Sequence, residues 1–278
     1  MKTFQSKVAL ITGGSSGIGQ GLARALAAEG AKLAIAGTSQ ARLDAAVADL
    51  RGCGAEVIGV VLDVTDPAAW TRGVDQVEAS LGPIDILALN AGAQSGRAPI
   101  EAGSIEEWRW VWDVNVNGVY LGLRALLPRM KARGAEGHVL ITASIGALTP
   151  RPLAAAYAAS KAGALAIAEA VRLELANTAI GISVLCPALV RTAFDETSRR
   201  HSPDATPETY AYMRAVIDSG MDPLKVGAFV LRAIREGRFY IFTHPGFKPI
   251  VSQHFEDILA GFQDSADPES ATFGAQPA

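Results

Sequence analysis

Residues 12–19 read TGGSSGIG and directly follow the apolar run KVALI at 7–11. After the glycines comes IGQGLARALAAEG, whose apolar residues recur at helical spacing. A strand, a glycine-rich turn and a helix, in that order, open a dinucleotide-binding βαβ unit. Glycines let the backbone turn tightly and approach a pyrophosphate, whose charge then rests against the helix N-terminus. The spacing is TGxxxGxG rather than GxGxxG, and glycines also end strands for purely structural reasons, so the flanking strand and helix carry the reading. Gly13, Ser15, Ser16, Gly17, Ile18 and Gly19 are the expected phosphate-side residues.

Outward from this unit the pattern repeats. Short, continuously apolar runs occur at 7–13, 32–38, 56–64, 84–92, 137–144, 181–188 and 238–245. Continuous rather than alternating hydrophobicity fits parallel strands covered on both faces. Between them lie helical stretches such as QARLDAAVADLRG, PAAWTRGVDQVEASLG, the long SIEEWRWVWDVNVNGVYLGLRALLPRMKA and PLAAAYAASKAGALAIAEAV, several closing on glycine. The expectation is an α/β fold, one doubly wound parallel sheet of about seven strands with helices on both faces. A single catalytic domain is expected over residues 1–262, with 263–278 a disordered tail. Residues 189–222 are long, polar and proline-bearing, and they leave the C-terminal end of a strand. Ligands bind outside those ends, so this segment is the candidate substrate lid, with an ordinary surface insertion as the alternative.

Composition removes other classes. The net charge of −3 argues against nucleic acid as a partner, since phosphate binding needs a basic face. Of 278 residues 49% are hydrophobic and 19% charged, enough for a large core and against global disorder. No run is long enough for a membrane span, and MKTFQSKVALITGG lacks a signal-peptide core, so a cytoplasmic protein is expected. Cys53 and Cys186 match no zinc or CxxC spacing. The histidines at 138, 201, 244 and 254 show no ligand spacing, so no metal is expected. Trp108, Trp110 and Trp112 recur at spacing two, so they are not expected to share a helical face; core or interface packing is their default role.

The end of the second strand bears on cofactor choice. An acidic residue there would receive the ribose 2′-hydroxyl of NAD and repel a 2′-phosphate. AIAGTSQAR has none; Thr38 and Ser39 follow Gly37, and Arg42 stands a helical step further. NADP(H) is therefore expected over NAD(H). Asp63 and Val64 close the third strand, and Asn90, Ala91 and Gly92 the fourth, on the adenine and ribose sides.

YAASK, residues 157–161, sets a phenol and an ammonium four apart on one helical face. Alone the pair is cheap, and a solvated surface pair is the bland alternative. Ser144 closes the fifth strand thirteen residues earlier, and Asn115 lies in the long preceding helix, with Asn117 a nearby rival.

TGGSSGIG, the NAG at 90–92, Asn115 in DVNVNG, Ser144 and YAASK, in this order, resemble the short-chain dehydrogenase/reductase family over about residues 5–245. The resemblance implies a single-domain Rossmann fold, a homodimer or homotetramer, and Asn115, Ser144, Tyr157 and Lys161 as catalytic tetrad. It also implies NAD(P)-dependent interconversion of a secondary alcohol and a ketone. Lys161 would reach the nicotinamide ribose, Asn115 would hold a relay water, and Pro187 and Thr192 would lie beside the carboxamide. The chemistry agrees: hydride transfer to a ketone leaves an alkoxide that needs a proton. An ammonium about 5 Å away at an effective dielectric of ~20 would favour the phenolate by roughly 3 kcal/mol. Ser144 would bond the substrate oxygen.

Ala188 stands where the family usually has glycine, Leu89 replaces the first asparagine of NNAG, and Ala143 a serine. Residues after the strand ends, Gln94, Ile145, Leu153, Ala188 and Leu189, with Tyr210 and Met213 of the lid, are mostly apolar. They predict a bulky hydrophobic or aromatic small-molecule substrate. The stretch GMDPLKVGAFVLRAIREGRFYIFTHP also resembles a branch that includes Cα-dehydrogenases of lignin-derived aryl ethers. A non-catalytic dinucleotide sensor, or an epimerase or dehydratase using the same tyrosine, are the competing functions.

Overall fold

The computed structural model describes residues 1–192 and 214–262. Seven strands, β1 (Val8–Thr12), β2 (Lys32–Gly37), β3 (Val57–Val61), β4 (Ile86–Leu89), β5 (Gly137–Thr142), β6 (Ile180–Cys186) and β7 (Tyr240–Phe242), form one sheet in the order 3-2-1-4-5-6-7. Every pairing is parallel. This is the Rossmann fold expected from the sequence. Side chains alternate along each strand, so Ala9 and Ile11 enter one apolar layer and Leu10 the other. Both faces are covered, which is why the strands read as unbroken apolar runs.

One face carries α1 (Gly17–Ala28), α2 (Gln40–Gly52) and α7 (Pro223–Arg235), packed through Leu22, Leu26, Leu43, Leu50, Val226 and Val230. The other carries α3 (Pro67–Leu81), α5 (Gly118–Arg133) and α6 (Ala155–Glu174), centred on Trp70, Leu126 and Ala164. α4 (Ile105–Trp112) runs into α5 through one π-helical turn, Asp113–Asn117. Trp108 and Trp112, one turn apart on α4, stack with ring centroids at 6.2 Å. Two of the three tryptophans therefore do share a face, through the 108/112 spacing rather than the spacing of two.

Because the chain steps outward from β1 to β3 and then crosses back to β4, the sheet has its switch point between β1 and β4. The carboxyl ends of these strands form the crevice where such folds bind ligands. The described ends of the expected lid, residues 189–192 and 214–222, clasp each other: Met221 N–H donates to Leu189 O at 2.9 Å and Arg191 N–H to Met221 O at 2.9 Å. Tyr210, Met213 and the rest of 193–213 lie outside the described residues, as does the tail at 263–278.

Met1–Thr243 form one compact unit and His244–Ala278 a second. The described part of the second holds α8 (Lys248–Ala260), which has no buried residue. Neither cysteine is in a disulfide; Cys53 is exposed and Cys186 buried. His138 is buried on β5, its Nε2 3.1 Å from Ser183 Oγ, and that hydroxyl donates to Arg238 O at 2.7 Å. Burial holds its pKa down to about 3, so it is a neutral core histidine. Among the described residues no group of histidine, cysteine or carboxylate side chains could hold a metal ion.

α1 and α7 touch at glycines. A Cβ at Gly227 would stand 2.3 Å from Gly21 O, and one at Gly21 2.1 Å from Pro223 O. The obstacle is backbone, so the helices would have to separate. Gly227→Ala is expected to lower Tm by about 4–8 °C, the cost of forcing a methyl into a filled interface. Thermal melts check this; cofactor raises both melting points by mass action, and a loss that grows with cofactor present would show that the displaced α1 binds it more weakly.

Candidate active site

The glycine turn joins β1 to α1. Gly13 and Gly17 have φ of 64° and 51°, a left-handed backbone that suits glycine. A Cβ on Gly19 would fall 2.3 Å from Gly13 O, and one on Gly17 2.9 Å from Thr192 Cγ2. Ser16 is the N-cap of α1, makes no side-chain cap bond, and the first turn has no acidic residue. The free amides of that turn therefore face a backbone cradle without an internal anion, and the site fits a dinucleotide phosphate.

Thr12 knits the crevice at the switch point. Its Oγ1 accepts from Asn90 N at 2.9 Å and Ala91 N at 3.0 Å and donates to Ala88 O at 3.3 Å. Asn90 Nδ2 donates to Thr12 O at 3.1 Å, and Asn90 Oδ1 accepts from Thr142 Oγ1 at 3.2 Å. Thr142 O in turn accepts from Lys161 Nζ at 3.0 Å. One polar chain thus runs from the phosphate turn to the buried lysine.

Ser144, at the end of β5, caps a 3-10 turn and accepts from Gly146 N at 3.1 Å. Tyr157, on the first turn of α6, is half-buried; burial raises its pKa, and a hydrogen bond with the Ser144 side chain offsets part of that rise. Lys161 Nζ lies 6.0 Å from the Tyr157 ring centroid. The expected Coulomb effect does not dominate. Burial raises the Tyr157 pKa above its ordinary value, and burial lowers that of Lys161 to about 8. The ammonium is aimed at Thr142 O, and desolvation of both groups outweighs their attraction.

Asn115 is fully buried in the π-helical turn, and the extra residue there turns its side chain inward. Its Oδ1 accepts from Ala93 N at 2.8 Å, while Nδ2 donates to Ala93 O at 2.8 Å and to Ser160 Oγ at 2.9 Å. Ser160 Oγ donates to Tyr157 O at 2.8 Å. The amide is spoken for, so it ties the loop holding Gln94 to the tyrosine helix. Asn117 instead donates to Asp113 at 2.8 Å on the exposed side.

The remaining expected residues are placed as follows. Ser39 caps α2 and accepts from Arg42 N at 3.5 Å; the Thr38 and Arg42 side chains are exposed. Asp63 is exposed and accepts from Thr65 N at 2.9 Å, while Val64 is buried under Gly118. Pro187 O accepts from Ile145 N at 2.9 Å, binding the ends of β5 and β6. Ala188 N donates to Thr243 Oγ1 at 3.3 Å; Leu153 and Leu189 are exposed, Ile145 buried. Thr12, Thr142 and Ser160 are not among the residues expected from the sequence, and Ala93, expected only in the pocket lining, also holds Asn115 through its backbone. Thr12 has a signal, a hydroxyl at the strand end before the glycines; Thr142 holds Lys161 through its carbonyl, and a carbonyl contact leaves no mark in residue type.

The glycine cradle lies at the switch point, and Ser144, just past β5, stands beside Tyr157 and Lys161 of α6. The family profile described as short chain dehydrogenase matches residues 7–203, and the chain belongs to that family. It is 33% identical over 279 residues to the C alpha-dehydrogenase of Sphingobium sp. strain SYK-6, covering 98% of this chain and 92% of that protein. A short chain dehydrogenase/reductase from Burkholderia phymatum, solved with NAD, superposes with a TM-score of 0.88 at 34% identity over 96% of this chain and 99% of that one. A variant of the actinorhodin polyketide ketoreductase, solved with NADPH, gives 0.76 at 31% identity over 88% and 98%. The chain is an NAD(P)-dependent oxidoreductase of this family.

Proposed function

We propose that the protein interconverts a bulky, hydrophobic or aryl secondary alcohol and its ketone, with NADP(H) preferred over NAD(H). The observation that carries the reaction is the meeting of Ser144, Tyr157 and Lys161 beside the glycine cradle. Bound dinucleotide supplies or accepts the hydride. Tyr157 gives its phenolic proton to the substrate oxygen during reduction and takes it back during oxidation. With its pKa raised by burial, the phenol stands protonated at neutral pH and ready to donate. Ser144 orients that oxygen, Lys161 holds the ribose side and the proton path, and Asn115 fixes the geometry of both helices.

The substrate class is supported by Ile145, Leu153 and Leu189 around the strand ends, and by the likeness to a protein named C alpha-dehydrogenase. Segment 189–222, clasped at its base, is assigned as the substrate cover of the single catalytic domain. A cytoplasmic homo-oligomer is supported by unpaired Cys53 and by exposed Ile105, Trp108, Tyr120 and Leu173 on the long helices. Among the described residues no helix is long and apolar enough to cross a membrane. An absorbance screen at the reduced-nicotinamide band, with both cofactors against aryl, steroid and small aliphatic alcohols and ketones, tests the reading. Turnover of small polar polyols alone rejects the substrate class, and no net absorbance change with any of them points to an epimerase or dehydratase.

Cofactor preference has its own test. Gly37 ends β2, and a Cβ there would meet Ser15 Oγ at 3.6 Å and Leu43 Cδ2 at 3.8 Å, ordinary contacts. A carboxylate therefore fits and would repel a 2′-phosphate while accepting from a ribose 2′-hydroxyl. Gly37→Asp is expected to shift the ratio of kcat/KM from NADP(H) toward NAD(H) by about a hundredfold, or roughly 3 kcal/mol. An unmodified enzyme that already prefers NAD(H) rejects the preference.

A further inference from the structure

No residue of α8 is buried, yet one side of the helix is apolar. Ile250, Phe255, Ile258 and Leu259, with Phe262 in the turn that continues it, are 47–72% exposed. At 3.6 residues per turn these side chains and the half-buried Val251 fall on one half of the helix. Ser252, Gln253, Glu256 and Asp257 take the other half, where Gln253 Nε2 donates to Asp257 Oδ1 at 2.9 Å. A helix of 13 residues is marginal in water by itself, because helical stability comes chiefly from packing of an apolar face. The five exposed side chains offer roughly 500 Å² of apolar surface, the size of patch that marks an interaction site.

The pattern of the face selects its occupant. Along its centre, Val251, Phe255, Ile258 and Phe262 are spaced by four, three and four, the a/d pattern by which two like helices interlock. A stripe that matches itself is satisfied by its own copy, and a twofold contact closes without leaving a further apolar edge. The charge excludes a lipid surface as the favoured partner. Lys248 stands against Glu256 and Asp257, the wrong balance for an anionic membrane. The area agrees, since a pair of stripes covers about 1,000 Å², where specific interfaces begin. We propose that α8 is a pairing helix, which binds the α8 of a second copy of this chain through Val251, Phe255, Ile258 and Phe262. This contact is separate from the exposed faces of the long helices.

In the full chain carrying Cys53→Ser, the substitutions Phe255→Cys and Ile258→Cys each place a thiol on the stripe, and Gln253→Cys places one on the polar half. Oxidised with diamide, the stripe variants, alone or mixed, should run on a non-reducing gel with about half of the chain as a linked dimer, and Gln253→Cys with under about a tenth. A full chain with both Phe255→Glu and Ile258→Glu should still bind reduced dinucleotide, but sediment at half the mass of the unmodified protein, because pairing would bury its carboxylates. An unchanged mass overturns the proposal, as does a monomeric unmodified protein. Equal cross-linking of Gln253→Cys overturns it too, since random collision would give that result. Half the mass with no cross-link on the stripe also overturns it, because α8 would then dock on another face of the second copy. Where the doubly substituted protein does not fold, the cross-linking of the cysteine variants decides alone.

Discussion

Replacing Tyr157 with phenylalanine is expected to lower kcat by about a thousandfold while leaving cofactor affinity within about twofold. The ring is half-buried on the first turn of α6, and phenylalanine fills the same space. Ser144 Oγ keeps its bond from Gly146 N, and Lys161 keeps Thr142 O, so the surrounding geometry survives the change. What disappears is the only proton the proposed chemistry places at the substrate oxygen. Fluorescence titration of the reduced cofactor and single-turnover absorbance measure the two quantities separately. A variant retaining a tenth of the original rate would show that another group donates the proton. A dinucleotide sensor would keep its function through this change, so the same variant separates the two classes. Loss of cofactor binding together with turnover would show that the tyrosine holds the cofactor rather than the proton.

The sheet was legible because both of its faces are buried. All seven apolar runs became strands, with ends moved by at most three residues. α7 and α8 are not among the helices expected from the sequence: α7 follows a polar, proline-bearing segment despite the N-terminal signal of Asp222 and Pro223, and α8 buries no residue and so carries no core-facing stripe. The side chains of the site were legible as a set of spacings. Their energetics were not: a four-residue spacing sets the distance between a phenol and an ammonium, but says nothing of desolvation or of where Nζ points. The role of Asn115 was half-legible, since an asparagine within a helix suggests a kink, yet its bonds to Ala93 and Ser160 depend on the π-helical turn. The left-handed backbone of Leu153 has no sequence signal at all, because leucine is the wrong residue for it. Such local disagreement between residue type and conformation is where function is best sought.

Lys161→Met should disable the enzyme and yet stabilise the cofactor-free protein at neutral pH. Lys161 is 3% exposed, and burial lowers its pKa from 10.5 to about 8. Keeping that ammonium charged inside the fold at pH 7 costs roughly 3 kcal/mol relative to the unfolded chain. Methionine fills the volume of the aliphatic stem and removes this cost, but leaves Thr142 O without its partner, a loss of about 1–3 kcal/mol. The balance favours the variant by about 1 kcal/mol, or a Tm higher by roughly 2–4 °C. The sign of the pH dependence follows from the depressed folded pKa. Between about pH 8 and 10.5 the unfolded chain binds more protons than the folded one, so the lysine protein gains stability across this window as pH rises. The variant lacks that gain, so its advantage should be full below pH 8, vanish within about one pH unit above it, and reverse to a deficit of about 2 kcal/mol near pH 10.5, where only the lost bond to Thr142 O remains. Paired thermal melts of the cofactor-free proteins across this range measure the difference, in which changes common to both cancel. A constant difference would mean that Lys161 is not a desolvated cation, and a variant less stable at pH 7 would mean that the bond to Thr142 outweighs desolvation. Activity provides the opposite sign: kcat/KM at pH 7 should fall at least about a hundredfold, because the group that destabilises the cofactor-free fold is the one proposed to hold the proton path and the ribose.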